Sequence, residues 1–178
     1  MLSPASAAIE QVAAGWLLEL LGLPATASVG FVTGATMANT TALAAARHEV
    51  LRRAGWDVEA DGLQGAPRVT LVAGREAHAS IRNASRFIGL GASTIVYVDA
   101  DSQGRMIPSG LKAVLATVSG PTIVCAQSGN VNTGAFDPME EIEPLVHGCG
   151  AWLHVDGAFG LWAAASRSLR PHVRGVAR

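Results

Sequence analysis

Four short stretches of this chain carry residue types that could do chemistry. Thr33-Gly34-Ala35-Thr36-Met37-Ala38-Asn39-Thr40 opens an alanine-rich run with a glycine and small hydroxyl residues. At a helix start such a stretch leaves backbone N–H groups unpaired at the positive end of the dipole, which suits an anion such as phosphate. Glu76-Ala77-His78-Ala79-Ser80 places an imidazole beside a second helix start, and Gln127-Ser128-Gly129-Asn130-Val131-Asn132-Thr133-Gly134 is a glycine-rich loop of amides and hydroxyls. His154-Val155-Asp156-Gly157-Ala158 sends a carboxylate out of an apolar run with small residues behind it. Taken singly, each has an ordinary structural reading: a capped helix, a structural histidine, a turn, an aspartate capping the next helix. Neither a P-loop pattern nor a G-x-G-x-x-G fingerprint is present.

The elements that must position these residues alternate. Pro4, Ile9, Val12, Ala13, Trp16, Leu17 and Leu20 keep helical spacing until Gly22 and Pro24 stop them, and Ala7 to Leu23 reads as an amphipathic segment. Ser28 to Thr33 reads as a strand feeding a helix over Ala35 to Ala54. The rhythm continues with strands at Arg68–Ala73, Thr94–Val98, Pro121–Ala126 and Ala151–Val155, and helices at His78–Phe87, Ser109–Val118 and Pro138–His147. Such β/α repetition predicts an α/β fold: a mostly parallel sheet with helices on both faces, joined by right-handed crossovers. Asp57 to Pro67 and Val98 to Pro108 read as polar connections, neither long enough to be a linker, so one domain spans residues 1–178. In an open parallel sheet the ligand lies beyond the carboxyl ends of the strands, where all four chemical stretches fall. A carboxylate buried there needs a cation or several donors, and a protonated pyridine nitrogen is such a cation. A helix start for a phosphate, an imidazole for one face of a flat ring and a carboxylate for its nitrogen are three complementary handles on one cofactor.

Bulk composition narrows the class. With 178 residues, 49% hydrophobic and 15% charged, the chain has the balance of a globular domain with a large core. A net charge of -1 supplies no basic footprint for nucleic acid, and no apolar run has the length of a membrane span. Cys125 and Cys149 have no metal-ligand or disulfide spacing and read as buried, reduced thiols. With no basic leader at the amino terminus, a cytoplasmic address is expected. Of thirteen cationic side chains one, Lys112, is a lysine.

Together these motifs resemble the group II pyridoxal-phosphate-dependent amino-acid decarboxylases, the family of aromatic-amino-acid and glutamate decarboxylases within fold type I. Thr33 to Asn39 resembles the family's phosphate loop, His78-Ala79-Ser80 its ring-stacking segment, and His154-Val155-Asp156-Gly157-Ala158 its His-Val-Asp-Ala-Ala signature, the most specific of the three. The resemblance implies pyridoxal 5'-phosphate as cofactor. Gly34, Ala35 and Thr36 would take the phosphate, His78 would stack on the pyridine ring, Asp156 would bind its nitrogen and Ala158 would pack beneath it. Gly129-Asn130-Val131 stands where many members have Gly-Thr-Thr, leaving Asn130, Asn132 and Thr133 as alternative cofactor contacts, with Asn132 and Thr133 taken as candidates. Phe159 and Gly157 replace a common tyrosine and alanine.

The resemblance also implies a Schiff-base lysine in a His-Lys pair shortly after the aspartate signature. Residues up to Arg178 contain no such pair, and Lys112 lies on a helix whose polar face points to solvent. The expectation is therefore a partial large domain, without the N-terminal arm, the lysine segment or the small C-terminal domain, and inactive or impaired as it stands. For the intact protein the resemblance implies a homodimer that decarboxylates an L-amino acid. Aldehyde-lyase or aminotransferase chemistry on the same scaffold, or non-catalytic binding of the cofactor or another phosphorylated ligand, are the alternatives left open.

Overall fold

The computed structural model describes residues 3–177. Four strands, β1 (Thr70–Gly74), β2 (Ile95–Val98), β3 (Thr122–Gln127) and β4 (Trp152–Asp156), form one parallel sheet in the order β2-β1-β3-β4. All six residues of β3 are buried, as a central strand covered on both faces requires, and its Thr-Ile-Val-Cys-Ala sequence is the near-continuous apolar run this burial selects. From β1 the chain first steps outward to β2, then crosses back to β3 and on to β4. The order therefore reverses between β1 and β3, which opens a crevice at their carboxyl ends.

Six helices accompany the sheet: α1 (Pro4–Leu21), α2 (Ala35–Arg53), α3 (Val58–Asp61), α4 (Ala79–Phe87), α5 (Pro108–Leu115) and α6 (Met139–Gly148). On one face Leu43, Ala46 and Val50 of α2 and Ile81 and Ala84 of α4 pack on Leu71, Ala73, Ile123 and Cys125. On the other, Leu111 of α5 and Met139, Ile142 and Val146 of α6 pack on Val72, Val124 and Ala126. Alternation along each strand sends successive side chains to the two cores. The α/β architecture with helices on both faces is thus the one the pattern predicts.

Three expectations change. Ser28 to Thr33 is not a strand: it runs irregularly, with Phe31 and Val32 49% and 40% exposed. An extended apolar segment becomes a strand only when a neighbour takes up its backbone groups, and no described residue pairs with this one. Asp57 to Pro67 is not wholly loop, because the Asp57 carboxylate accepts from the N–H groups of Glu59 and Ala60 and caps the single turn α3. Cys149, expected to be buried, is exposed just beyond α6, whereas Cys125 is buried in β3 as expected.

Candidate active site

The carboxyl ends of β1, β3 and β4 converge on a crevice lined by Gly74, Glu76, Gln127, Asp137 and Asp156. Asp156 is the last residue of β4 and pairs in register with Gln127 at the end of β3. Period-two alternation puts Trp152, His154 and Asp156 on the face covered by α2. Asp156 is only 9% exposed, and among the described residues no arginine, lysine or histidine forms an ion pair with it. Its carboxylate is held by two neutral donors: Asn39 Nδ2 gives a hydrogen bond to Oδ2 at 3.0 Å, and the Ala158 N–H gives one to Oδ1 at 3.2 Å.

Asn39 extends this contact into a buried chain. Its amide nitrogen also donates to Ser80 Oγ at 2.9 Å, and its carbonyl oxygen lies 2.9 Å from His154 Nε2. Ser80 Oγ in turn lies 2.8 Å from His78 Nδ1, which also accepts the Ser80 N–H at 3.2 Å and so caps α4. Three hydrogen bonds thus run from His78 through Ser80 and Asn39 to Asp156. Asn39 and Ser80 are 4% and 1% exposed, while His78 itself stands at the exposed edge of the site. Burial holds the His154 imidazole down at about 4, outweighing the opposite pull of the Asp156 charge, so this ring is neutral. Burial, with the same charge, drives the Cys125 thiol far up and keeps it protonated.

The start of α2 lies close by. Gly34 caps it without a side-chain acceptor, and Ala35, Thr36 and Met37 are exposed, so their N–H groups are left for an external acceptor. Ala158 sits two residues beyond the strand, with its N–H on Asp156. The loop after β3 is arranged differently. Asn130, buried, accepts from the N–H groups of Asn132 and Thr133, and the Thr133 hydroxyl donates to Gln103 O at 2.8 Å. Asn130 therefore shapes the loop, and among the described residues neither Asn132 nor Thr133 is hydrogen-bonded to the His78–Asp156 chain.

Sequence reasoning assigned no role to Asn39, Ser80 or His154. One signal was available: Asn39 heads the stripe Asn39, Leu43, Ala46, Val50, whose spacing is that of the buried face of α2. A polar residue on such a stripe must find partners. Lys112 is exposed on α5, as its helical position predicts.

A parallel sheet whose last strand delivers a buried, cation-free carboxylate beside an open helix start and an exposed imidazole has the architecture of fold-type-I pyridoxal phosphate enzymes. The chain belongs to the pyridoxal-dependent decarboxylase family: the family's conserved domain matches residues 1–178. It is 34% identical to the acidic amino acid decarboxylase of Mus musculus over 180 residues, covering 99% of this chain and 32% of that protein. It is 36% identical to the cysteine sulfinic acid decarboxylase of Mus musculus, covering 83% of this chain and 30% of the relative. The chain thus spans about a third of the length of these relatives. Among solved structures, mouse CSAD in apo form superposes with a TM-score of 0.88 at 32% identity, over 98% of this chain and 37% of the other. The Oryza sativa TDC with PLP and tryptamine superposes with a TM-score of 0.84 at 27% identity, over 98% and 37% respectively.

Proposed function

We propose that His78, the start of α2 and the carboxyl end of β4 together hold pyridoxal 5'-phosphate and serve the decarboxylation of an L-amino acid. The observation that carries this reading is Asp156, a buried carboxylate at a strand end with two neutral donors and no cation. A protonated pyridine nitrogen supplies the missing partner, and the family membership supplies its identity. Bound pyridoxal phosphate provides an electron sink for the carbanion left when an amino acid loses carbon dioxide.

Each residue then has a definite task. Asp156 holds the proton on the ring nitrogen, with Asn39 and the Ala158 N–H fixing its two oxygens. His78 offers its imidazole face, the leading N–H groups of α2 at Gly34, Ala35 and Thr36 bind the phosphate, and Ala158 leaves room for a flat ring. Asn132 and Thr133, on the loop after β3, are the remaining contacts that the family resemblance proposes for the cofactor. A lysine for covalent attachment is not offered by these elements, since Lys112 is exposed on α5, so cofactor held by these residues alone stays non-covalent and turnover is impaired. Two unpaired cysteines fit a reducing, cytoplasmic setting, and the exposed apolar stripe of α1 fits a homodimer.

The test is direct. Titrating the purified protein with pyridoxal phosphate should produce a saturable shift of the cofactor's absorbance that Asp156→Ala abolishes. Incubation with L-amino acids then separates the chemistries: release of carbon dioxide supports decarboxylation, whereas amino-group transfer to a keto acid without it sinks this reading. Borohydride treatment followed by unfolding should free the cofactor from the 178-residue chain; cofactor that stays attached would refute the non-covalent assignment.

A further inference from the structure

We propose that Asn39 is a positioning residue that fixes where the proton sits on His154 and thereby holds the Asp156 carboxylate and the Ser80 hydroxyl in one hydrogen-bonding arrangement. The donor and acceptor inventory forces this order. Asp156 is acceptor-only when ionised, so the Asn39 group 3.0 Å from it must be the NH2, and the same nitrogen donates to Ser80 Oγ at 2.9 Å. Both amide protons are then used. The opposite amide orientation would set the Asn39 oxygen against the carboxylate.

With that orientation fixed, the Asn39 oxygen faces His154 Nε2 at 2.9 Å and needs a donor. His154 therefore carries its hydrogen on Nε2. The ring is fully buried and neutral, so Nδ1 is left unprotonated. On the other side, His78 Nδ1 accepts the Ser80 N–H at 3.2 Å, which excludes a hydrogen on that nitrogen. The Ser80 hydroxyl, whose oxygen accepts from Asn39, lies 2.8 Å from the same nitrogen. The directions of the bonds that join His154, Ser80 and Asp156 follow from one amide, whose residue is 4% exposed and reaches the crevice lining through Asp156.

The functional consequence rests on the cofactor reading above: Asn39 orients the Asp156 oxygens. The proton assignment itself does not rest on it and is measured without cofactor. Two-bond proton–nitrogen correlation spectra of the His154 imidazole at neutral pH should show hydrogen on Nε2 and none on Nδ1. A His154 ring with hydrogen on Nδ1, alone or on both nitrogens, overturns the assignment in the unmodified protein, whatever any variant does. Ser80→Ala, which removes one hydroxyl and leaves Asp156 to orient the amide, should leave the His154 pattern unchanged; a changed pattern overturns the claim that the carboxylate fixes the amide. Asn39→Leu, or Asn39→Asp if the leucine variant does not fold, should alter it. An unchanged His154 pattern in a folded Asn39 variant overturns the coupling.

Pyridoxal phosphate affinity is the independent arm. Loss of a hydrogen bond to a charged group predicts that Asn39→Leu weakens binding about tenfold or more. Affinity equal to that of the unmodified protein overturns the positioning role even if the tautomers are as assigned. If the unmodified protein does not bind pyridoxal phosphate while His154 shows the expected pattern, the proposed function fails and the proton assignment stands.

Discussion

His154 and Asp156 lie two residues apart on one strand, face the same helix and are both buried, yet they carry opposite chemical demands. The carboxylate needs donors and the imidazole must stay neutral, and one asparagine between them meets both. For activity, the proposed roles predict unequal losses. Asp156→Ala removes the carboxylate proposed to face the ring nitrogen and should lower kcat/KM by roughly a hundredfold or more, whereas Ser80→Ala should cost less than about tenfold. Similar rates for the two variants count against the assignment of Asp156. For stability, the His154 ring in the folded protein takes a proton only near 4, against an ordinary value of 6.5. Between those values the unfolded state binds more protons, so the contribution is fully present above 6.5 and is lost as pH falls towards 4, by up to roughly 3 kcal/mol. Asp137, whose carboxyl is raised by burial, acts in the opposite sense above its ordinary 3.8, so the two must be separated by difference. Urea unfolding at several pH values should show a steeper fall between 6.5 and 4 in the unmodified protein than in His154→Gln; equal slopes would contradict a buried neutral ring. The positions of Asp156 and His78 at the carboxyl edge of the sheet were legible because each lies at or just beyond the end of an apolar strand pattern. Asn39 was not, because its partners come from α4 and β4, 41 and 117 residues away, and only the packing of α2 joins them.

The elements that carry these residues are fixed by close backbone approaches near the end of β4. After Asp156 the chain turns so that the Gly160 N–H reaches Ser128 O at 2.9 Å, and a Cβ on Gly160 would stand 2.5 Å from that oxygen. A Cβ on Gly157 would meet Leu161 Cβ at 2.8 Å. Gly160→Ala should therefore destabilise the protein by about 2 kcal/mol or more, because its Cβ would press on the Ser128 backbone, and Gly157→Ala by less, because its contact is longer and with Leu161 Cβ instead of a carbonyl. Chemical unfolding of the two variants checks the order; a neutral Gly160→Ala contradicts the close approach. Asp137 performs a comparable task between elements. One carboxylate oxygen accepts the Met106 N–H and the other the Gln127 N–H, each at 2.7 Å, joining the β2–α5 connection to the end of β3. At this scale the sequence was most informative where apolar alternation met a partner. All four strands of the sheet fall within one or two residues of their expected bounds. Ser28–Thr33 has the same apolar character but no neighbour among the described residues, and pairing is a property of two segments that one segment's pattern does not contain.

At the scale of the molecule the main feature is apolar surface that the sheet's two cores do not absorb. Ile9, Val12, Trp16 and Leu20 recur along α1 at helical spacing and are 47–69% exposed, and no residue of that helix is buried. Phe159, Trp162 and Leu169, beyond β4, are 50–60% exposed. Helical periodicity announces a stripe that wants cover, and the period gave α1 correctly, but it carries no information about which surface supplies that cover. Contiguous exposed apolar area of this kind marks an association surface or a liability to aggregate. If the homodimer proposed above forms through α1, Trp16→Glu combined with Ile9→Glu should shift the protein from dimer to monomer in sedimentation velocity without loss of helical circular dichroism, because neither side chain supports the core. Pyridoxal phosphate binding then discriminates further. Every cofactor-binding residue named here belongs to one chain, so the monomer should keep the Asp156-dependent absorbance shift. A monomer that no longer binds would show that a second subunit completes the site, and a double variant that stays dimeric would remove α1 from the interface.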